Sequence, residues 1–273
     1  MATATSPPPI TTTGRKRPGA YILHGPEGVG KTSFGAYAPK PIFLQTKGET
    51  GLETLINAGR LPPTPHFEGE CETWEQLLKN VRWLLEEKHE YKTLVIDTLN
   101  GAERMCYDYV TTKHFDGKTG DDGFLSYHKG YKVAMTDWRR LLNGLDMLRT
   151  QKQMAVLCLC HTTRRTFQNP EGPDYDRYEP AFESRDAWGL SHKWADAVLF
   201  MTFHTEVITQ GRKQIKGKAH GGQSRVIYTE RHASYDAKNR FGLVEEIEAD
   251  GGGQIAWNNF IGALKDARNK KED

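Results

Sequence analysis

Residues 22–33 read ILHGPEGVGKTS, and this stretch decides the fold. Gly25, Gly30, Lys31 and Thr32 fit the pattern G-x-x-x-x-G-K-[ST], which wraps a phosphate. Glycines allow backbone angles at which successive N–H groups converge on a phosphate oxygen, and the following helix directs its positive end to the same place. The pattern therefore predicts a nucleotide-binding phosphate loop, whose residues are Gly25, Pro26, Glu27, Gly28, Val29, Gly30, Lys31, Thr32 and Ser33.

The segments on either side of this loop are predicted to have the secondary structure that the motif requires, a strand before it and a helix after it. The run AYILH before it is typical of a buried strand, and KTSFGAYA after it predicts the start of a helix. In such a loop the ammonium of Lys31 reaches the β- and γ-phosphates, and the hydroxyl of Thr32 holds Mg²⁺. The sequence thus predicts ATP and Mg²⁺ as cofactors, with Lys31 as a catalytic residue and Thr32 as a metal ligand.

Composition limits the class of protein. The chain has 273 residues, a net charge of +2 and 37% hydrophobic residues, which favours one large soluble α/β domain. No apolar run approaches the length of a membrane span and no signal peptide is visible, so we expect a cytoplasmic protein without a membrane partner. Because the overall charges nearly balance, any affinity for nucleic acid must come from a local patch.

The order of predicted elements indicates a parallel sheet. Strands PIFLQT (41–46), TLVID (93–97), AVLCLCH (155–161) and ADAVLFMTFH (195–204) alternate with amphipathic helices, a pattern typical of helices on both faces of a sheet. We expect a flexible tail at 1–18, rich in Thr and Pro, an ATPase domain at 19–255 that ends in hairpins, and a C-terminal helix or tail at 256–273.

Asp97 ends the apolar run TLVI, and its position suits a second Mg²⁺ ligand. In proteins with this loop, an acidic residue at the end of a neighbouring buried strand completes the metal site. The alternative is that Asp97 only caps the following helix, because aspartate is a preferred N-cap residue. We predict Asp97 as a metal ligand and a catalytic residue.

Hydrolysis also needs a group that orients or deprotonates the attacking water. Glu49 lies just beyond the second strand, where a carboxylate can reach the γ-phosphate, and Glu53 competes with it one helical turn later. Glu49 could instead cap the helix ETGLETL. His161 ends a strand at the same edge and is predicted to contact the γ-phosphate, although a lone histidine is more often a structural hydrogen-bonding group.

Taken together, the motifs resemble those of a known family. The order GPEGVGKTS, IFLQTKGETGL, YKTLVIDTLNGAER, MAVLCLCHTTRR, PDYDRYEP, WADAVLFM and YDAKNRFGLVEEI is similar to that of phage-encoded RecA-like ATP-binding proteins of AAA type, themselves similar to Sak-type single-strand annealing recombinases. The resemblance covers about residues 18–250. It implies a RecA-like core, ATPase activity, a role in phage recombination within the bacterial host and cooperation with a single-strand binding protein.

One departure from that family concerns the predicted base. Relatives tend to carry the acid directly after QT, whereas here Lys47 and Gly48 precede Glu49, which is still the best match through E-x-G-L. RecA-like ATPases also complete their site with cations from a neighbouring subunit. Lys238 and Arg240 resemble those cations and would share one face of a strand, which implies a ring or filament of identical chains; otherwise both are solvated surface cations.

Two segments are candidates for contact with single-stranded DNA. The loop predicted after His161, residues 162–180, carries arginines interleaved with aromatic residues, although its acidic residues partly cancel the charge. A lid over the nucleotide is the alternative. Residues 207–229 hold several cations, four glycines and no acid, which suits a loop that orders on phosphates; a solvated hairpin is the alternative. The predicted DNA-binding residues are Arg164, Arg165, Arg212, Lys213, Lys216 and Lys218.

Three functional hypotheses follow from these motifs. The first is an ATP-dependent recombination protein that assembles on single-stranded DNA and whose hydrolysis of ATP is stimulated by that DNA. The second is an ATP-binding scaffold or loader for a replication protein. The third is a small-molecule kinase, for which TTRR (162–165) is only a weak version of the usual arginine-rich lid.

Overall fold

The structure is a computed structural model that describes residues 11, 12, 14, 17–208 and 218–270, with the backbone alone for 205–208 and 218–223. The strands are β1 (Ala20–Gly25), β2 (Pro41–Gln45), β3 (Thr93–Asp97), β4 (Ala155–Phe167), β5 (Tyr175–Pro180), β6 (Ala197–Ile208), β7 (Lys218–Tyr228), β8 (Lys238–Asn239) and β9 (Glu246–Glu248). The helices are α1 (Lys31–Ala36), α2 (Gly51–Asn57), α3 (Trp74–Glu86), α4 (Leu99–His114), α5 (Lys129–Gln151), α6 (Arg185–Trp194) and α7 (Gly253–Asn269).

The sheet has the strand order β2-β3-β4-β1-β6-β7-β9, with β5 paired to β4 and β8 paired to β6. The first five strands in this order are parallel to one another, and β7, β8 and β9 add antiparallel pairings. The expected fold class is confirmed as an α/β core with a largely parallel central sheet, flanking helices and a C-terminal hairpin region.

Both faces of the parallel sheet are covered by helices, which explains why β1 and β3 are buried along their whole length. On one face α3, α4 and α5 pack around the stacked rings of Trp74 and Trp138. On the other face Phe34 of α1 contacts Trp257 and Phe260 of α7 edge-on or tilted. Helix α7 begins before the expected division at residue 255 and contributes to this core.

The carboxyl ends of the parallel strands meet at one edge of the sheet. Gly25 at the end of β1 is in register with His161 on β4, and Asp97 at the end of β3 is in register with Gln45 on β2. The phosphate loop and the residues predicted to surround it are thus brought to one edge, as expected for an open α/β sheet.

Two hairpins extend beyond this edge. Strand β4 continues past His161 and pairs antiparallel with β5, so the segment 162–180, expected to be a loop, is mostly a β-hairpin. Its β-branched threonines and the contact of Phe167 with Tyr175 across the two strands favour an antiparallel ladder. Likewise β6 continues past its pairing with β1 and pairs with β7.

None of the helices in the described part of the chain is long and apolar enough to cross a membrane.

Candidate nucleotide-binding site

The phosphate loop connects β1 to α1 and depends on three glycines. Gly28 and Gly30 have φ of 73° and 108°, in the left-handed region that disfavours side chains. At Gly25 a Cβ would collide with the carbonyl oxygen of Met201 on the adjacent strand β6. Glycine is therefore required at these positions by the backbone path of the loop, which explains the glycines of the motif.

Lys31 lies inside this loop. Its ammonium donates to the carbonyl oxygens of Gly25 and Pro26 at 2.8 and 2.9 Å. Burial lowers the pKa of Lys31, although the carboxylates of Asp97 and Glu49 act in the opposite direction. A buried ammonium held by two neutral carbonyls is ready to pair with an anion, as the phosphate-loop interpretation requires.

Thr32 and Asp97 form the candidate Mg²⁺ site. The Thr32 hydroxyl donates to Oδ2 of Asp97 at 2.9 Å, and burial, with a smaller contribution from Glu49, raises the pKa of Asp97 to about 6. Hydroxyl and carboxylate oxygens are ligands that Mg²⁺ prefers, and it usually keeps waters and phosphate oxygens besides one or two protein ligands. The donor set therefore fits Mg²⁺, which when bound would neutralise phosphate charge.

The alternative role of Asp97 as a helix cap is filled by its neighbour. Thr98 is the N-cap of α4, and its hydroxyl oxygen accepts from the backbone N–H of Gly101 at 3.2 Å. Asp97 is thereby left to face Thr32. Within the described residues no cluster of three or more His, Cys, Asp or Glu side chains could hold a metal by itself, so the Thr32–Asp97 pair needs ligands from outside the protein.

We expect Asp97→Ala to raise the Mg²⁺ concentration that half-maximal ATP turnover requires, because the variant loses a charged metal ligand. A Mg²⁺ titration of phosphate release measures this, with Asp266→Ala on the exposed face of α7 as the matched control. An unchanged Mg²⁺ requirement in folded Asp97→Ala would contradict the assignment of the metal site.

Glu49 reaches the site through a turn after β2. The turn closes with a hydrogen bond from Glu49 N–H to the Thr46 carbonyl at 3.0 Å, and Gly48 within it has φ of 88°. The Glu49 carboxylate accepts from the Thr98 hydroxyl at 3.1 Å and contacts Nε2 of His161 at 2.9 Å. Although Lys47 and Gly48 precede it, Glu49 therefore still lies at the edge of the sheet that carries the phosphate loop.

The charge state of Glu49 suits a base. Burial alone would raise its pKa, but the hydrogen bond and charge of His161 and the hydrogen bond from Thr98 outweigh burial, and the pKa lies below its ordinary value. Glu49 is thus ionised at neutral pH and able to accept a proton. The competitor Glu53 is exposed. Its carboxylate lies 3.8 Å from Nε2 of His66 and so contacts a residue outside the candidate site.

His161 connects the predicted base to the central strand. Its Nε2 contacts Glu49, its backbone N–H donates to Oδ1 of Asn100 at 3.0 Å, and its Nδ1 is buried without a hydrogen-bond partner among the described residues. A buried ring nitrogen without a partner is costly unless a ligand supplies one. His161 is therefore placed where it can respond to the nucleotide.

Lys238 and Arg240 have partners within their own chain. Lys238 donates to the His192 carbonyl, and Arg240 donates to the Lys193 carbonyl at 2.7 Å and lies 3.6 Å from Asp196. Both therefore bind the C-terminal turn of α6 from one side, where cations are favourable. Lys238 pairs with Val198 on β6, and Val198 pairs with residue 22 on β1. Lys238 therefore lies beside the middle of β1 and not beside the phosphate loop at its end. Their contact with a neighbour's nucleotide stays a prediction.

The predicted DNA-binding residues are only partly described. Arg164 is 71% exposed on the β4–β5 hairpin and lies 3.4 Å from Asp176, whereas Arg165 donates to the Phe182 carbonyl near the start of α6. Lys218 begins β7, with only its backbone described. Arg212, Lys213 and Lys216 lie outside the described residues.

Sequence reasoning missed Thr98 and His24 as parts of the site. Thr98 holds Glu49, and its place directly after Asp97 was the available signal. His24 precedes Gly25; its Nδ1 contacts the Thr162 hydroxyl at 2.8 Å and its Nε2 contacts the Asp236 carbonyl at 2.7 Å. Nothing in the sequence brings residue 236 near residue 24, so this bridge could be found only in the folded chain.

The chain matches one family of known proteins. A family model described as "AAA domain" matches residues 17–241. Among solved structures, one titled "Crystal structure of the RadB recombinase" is similar over 78% of this chain and 81% of that chain, with 13% sequence identity and a TM-score of 0.42. Among curated proteins no match to the chain was found.

Proposed function

The chain belongs to the AAA domain family, and we propose that it is an ATP-dependent recombination protein that binds single-stranded DNA and hydrolyses ATP to ADP and phosphate. The observation that carries the proposal is the convergence of Glu49, His161 and Thr98 beside the Thr32–Asp97 pair and the ammonium of Lys31. This arrangement provides a base, a metal site and a phosphate-binding cation at one edge of the sheet.

In the proposed reaction the oxygen of a water molecule forms a bond to the γ-phosphorus, and the bond from that phosphorus to the β–γ bridging oxygen breaks. The Glu49 carboxylate orients the water and accepts its proton, while His161 and Thr98 hold the carboxylate in place. Lys31 stabilises the negative charge that the leaving ADP acquires. Mg²⁺ held by Thr32 and Asp97 would supply further charge stabilisation.

The location of the hairpins supports a link between DNA and ATP. Strand β4 passes directly from His161, which contacts Glu49, into the β4–β5 hairpin that carries Arg164. A strand of DNA that shifts this hairpin would therefore act on the hydrogen bonds of the predicted base. We further propose, from the family resemblance, assembly into a ring or filament, cooperation with a single-strand binding protein, and action in phage recombination in the host cytoplasm.

The proposal is tested by measuring phosphate release from ATP with and without an oligothymidylate. We expect turnover that requires Mg²⁺ and rises when the oligonucleotide is added. Electron microscopy of the same samples is expected to show rings or filaments.

Lys238 and Arg240 are proposed to act across a subunit interface. A Lys238→Ala/Arg240→Ala double variant and a Lys31→Ala variant should each lack turnover, and a mixture should recover part of it, because each chain supplies the half-site that the other lacks. A steady-state ATPase assay over several mixing ratios measures the recovery.

The matched control for that experiment mixes Lys31→Ala with Asp97→Ala, whose two defects lie in the same half-site, so no recovery is expected. Thermal unfolding of the double variant checks that loss of the contacts to α6 leaves the chain folded. Absence of recovery in demonstrated mixed oligomers argues against a shared site.

A further inference from the structure

A cavity of about 580 Å³ lies among β5, helix α6 and the segment before β8, away from the residues that hold the predicted metal. Arg177, Arg231 and Lys238 contribute three cations to its lining, against the two carboxylates of Glu230 and Asp236. Its volume lies within the roughly 300–1,000 Å³ typical of sites for small organic ligands. The cavity is large enough for a nucleotide unit.

Asp236 and Arg177 in the lining pair with each other, so the remaining charges of the cavity are those of Arg231, Lys238 and Glu230. Asp236 lies 3.3 Å from Nη2 of Arg177 and accepts from Nε1 of Trp188 at 3.1 Å. Arg231 is exposed, and in the part of the chain that the structure describes its side chain makes no ion pair or hydrogen bond. The guanidinium of Arg231 is therefore available to an anion that enters the cavity.

Lys238 also favours an anionic occupant. Its ammonium uses one donor on the His192 carbonyl and faces the cavity wall. Burial, followed by the charge of Arg240, lowers the pKa of Lys238 to about 8. A phosphate close to this nitrogen would restore the favourable environment that its charged form lacks.

An aromatic ring completes the lining. Trp188 is half-buried on α6, and its hydrogen bond to Asp236 fixes the orientation of the indole. The ring of His192 stands nearly edge-on to it at 5.3 Å. Aromatic faces beside cations are the combination that binds nucleotide units, since bases stack on the ring and phosphates pair with the cations.

We propose that this cavity binds a phosphate ester that carries a nucleobase, with the phosphate at Arg231 and the base against Trp188. Single-stranded DNA is the source that the surroundings favour, because β5 supplies Arg177 to the cavity and forms the exposed hairpin with Arg164. The choice of single-stranded DNA as the ligand rests on the proposed function. A free nucleotide is the other ligand that has the same phosphate and base.

The cavity wall is bonded directly to the phosphate-loop strand. The Asp236 carbonyl can only accept, so Nε2 of His24 carries the proton and Nδ1 accepts from Thr162. Burial lowers the pKa of His24 to about 4, which keeps the ring neutral and this pattern intact at neutral pH. Thr162 directly follows His161, which contacts Glu49. The hydrogen bonds of His24 to Asp236 and Thr162 therefore connect the cavity wall to the predicted base.

The test uses two variants that alter the cavity in different ways. Arg231→Glu reverses a charge that has no partner in the described protein. Gly189→Leu adds bulk on α6 at the cavity lining, where a Cβ would meet no atom within 4 Å. Matched controls are Arg139→Glu on α5 and Gly262→Leu on α7, where an added Cβ likewise meets no atom within 4 Å. Circular dichroism checks the fold of all four.

Two probes distinguish the sources of the ligand. Fluorescence anisotropy of a labelled oligothymidylate, at several salt concentrations, measures strand binding. Calorimetry with dTMP in a Lys31→Ala background measures binding of a free nucleotide outside the phosphate loop. We expect Arg231→Glu and Gly189→Leu to weaken oligothymidylate binding by about tenfold or more. Arg231→Glu should also flatten the salt dependence, and the controls should match the wild type.

Loss of dTMP binding in both cavity variants, with strand binding unchanged, would support the cavity and identify a free nucleotide as its ligand. The inference is overturned if both variants bind both probes as the wild type does, or if the wild type binds neither. ATP turnover without any strand tests the proposed function separately. If the wild type hydrolyses ATP and all variants bind the oligothymidylate as tightly as the wild type does, the proposed strand-binding cavity is wrong. The proposed ATPase activity is then unaffected.

Discussion

Lys31→Ala is expected to lower ATP turnover by on the order of a hundredfold or more and to weaken ATP binding. The ammonium of Lys31 is buried inside the phosphate loop, and among the described residues it donates only to the Gly25 and Pro26 carbonyls, so it is placed to pair with the β- and γ-phosphates. Its removal leaves those phosphates without the cation that stabilises them while the glycine-dependent path of the loop remains. Calorimetry with ATP and a phosphate-release assay measure the two effects.

The matched control is Lys265→Ala, which removes an exposed lysine from α7 and should behave as the wild type. Equal melting temperatures of the two variants would exclude general loss of structure. Turnover at the wild-type level in folded Lys31→Ala would contradict the assignment of the phosphate loop.

Glu49→Gln is expected to keep ATP binding and to slow hydrolysis by on the order of a hundredfold or more, the usual loss for a general base. The substitution keeps the size of the side chain and an oxygen that can accept from Thr98, but an amide cannot take the proton of water. Burst or single-turnover kinetics would separate the chemical step from release of products.

Glu53→Gln is the control, because Glu53 is exposed and lies near His66. We expect its turnover to equal that of the wild type. The choice of base is wrong if Glu53→Gln slows hydrolysis and Glu49→Gln does not.

Those parts of the site that lie along one strand or one loop could be predicted from the sequence. The phosphate loop has a fixed spacing, and the place of Asp97 at the end of a buried strand was predicted from an apolar run that ends in an acid. The largely parallel sheet followed from strands that alternate with amphipathic helices. In each case the signal is local, since periodicity and glycine placement act within a few residues.

Contacts between distant segments could not be derived in this way. Glu49 and His161 are 112 positions apart, and their contact depends on a turn at Gly48 and on the place of β4 between β1 and β3. The hairpin of β4 with β5 was expected to be a loop, because its sequence has no clear alternation of apolar and polar residues and the strands form through their pairing with each other. The bridge from His24 to Asp236 spans 212 positions and depends on where the segment before β8 packs.

The central claim, that this site hydrolyses ATP in response to single-stranded DNA, is tested most directly by one assay. Wild-type protein is given ATP and Mg²⁺ with and without an oligothymidylate, and free phosphate and phosphorylated products are measured together. We predict release of free phosphate that the oligothymidylate increases and that Glu49→Gln loses. ATP binding without turnover under both conditions, as for a scaffold, or transfer of phosphate to a small molecule, as for a kinase, would contradict the claim.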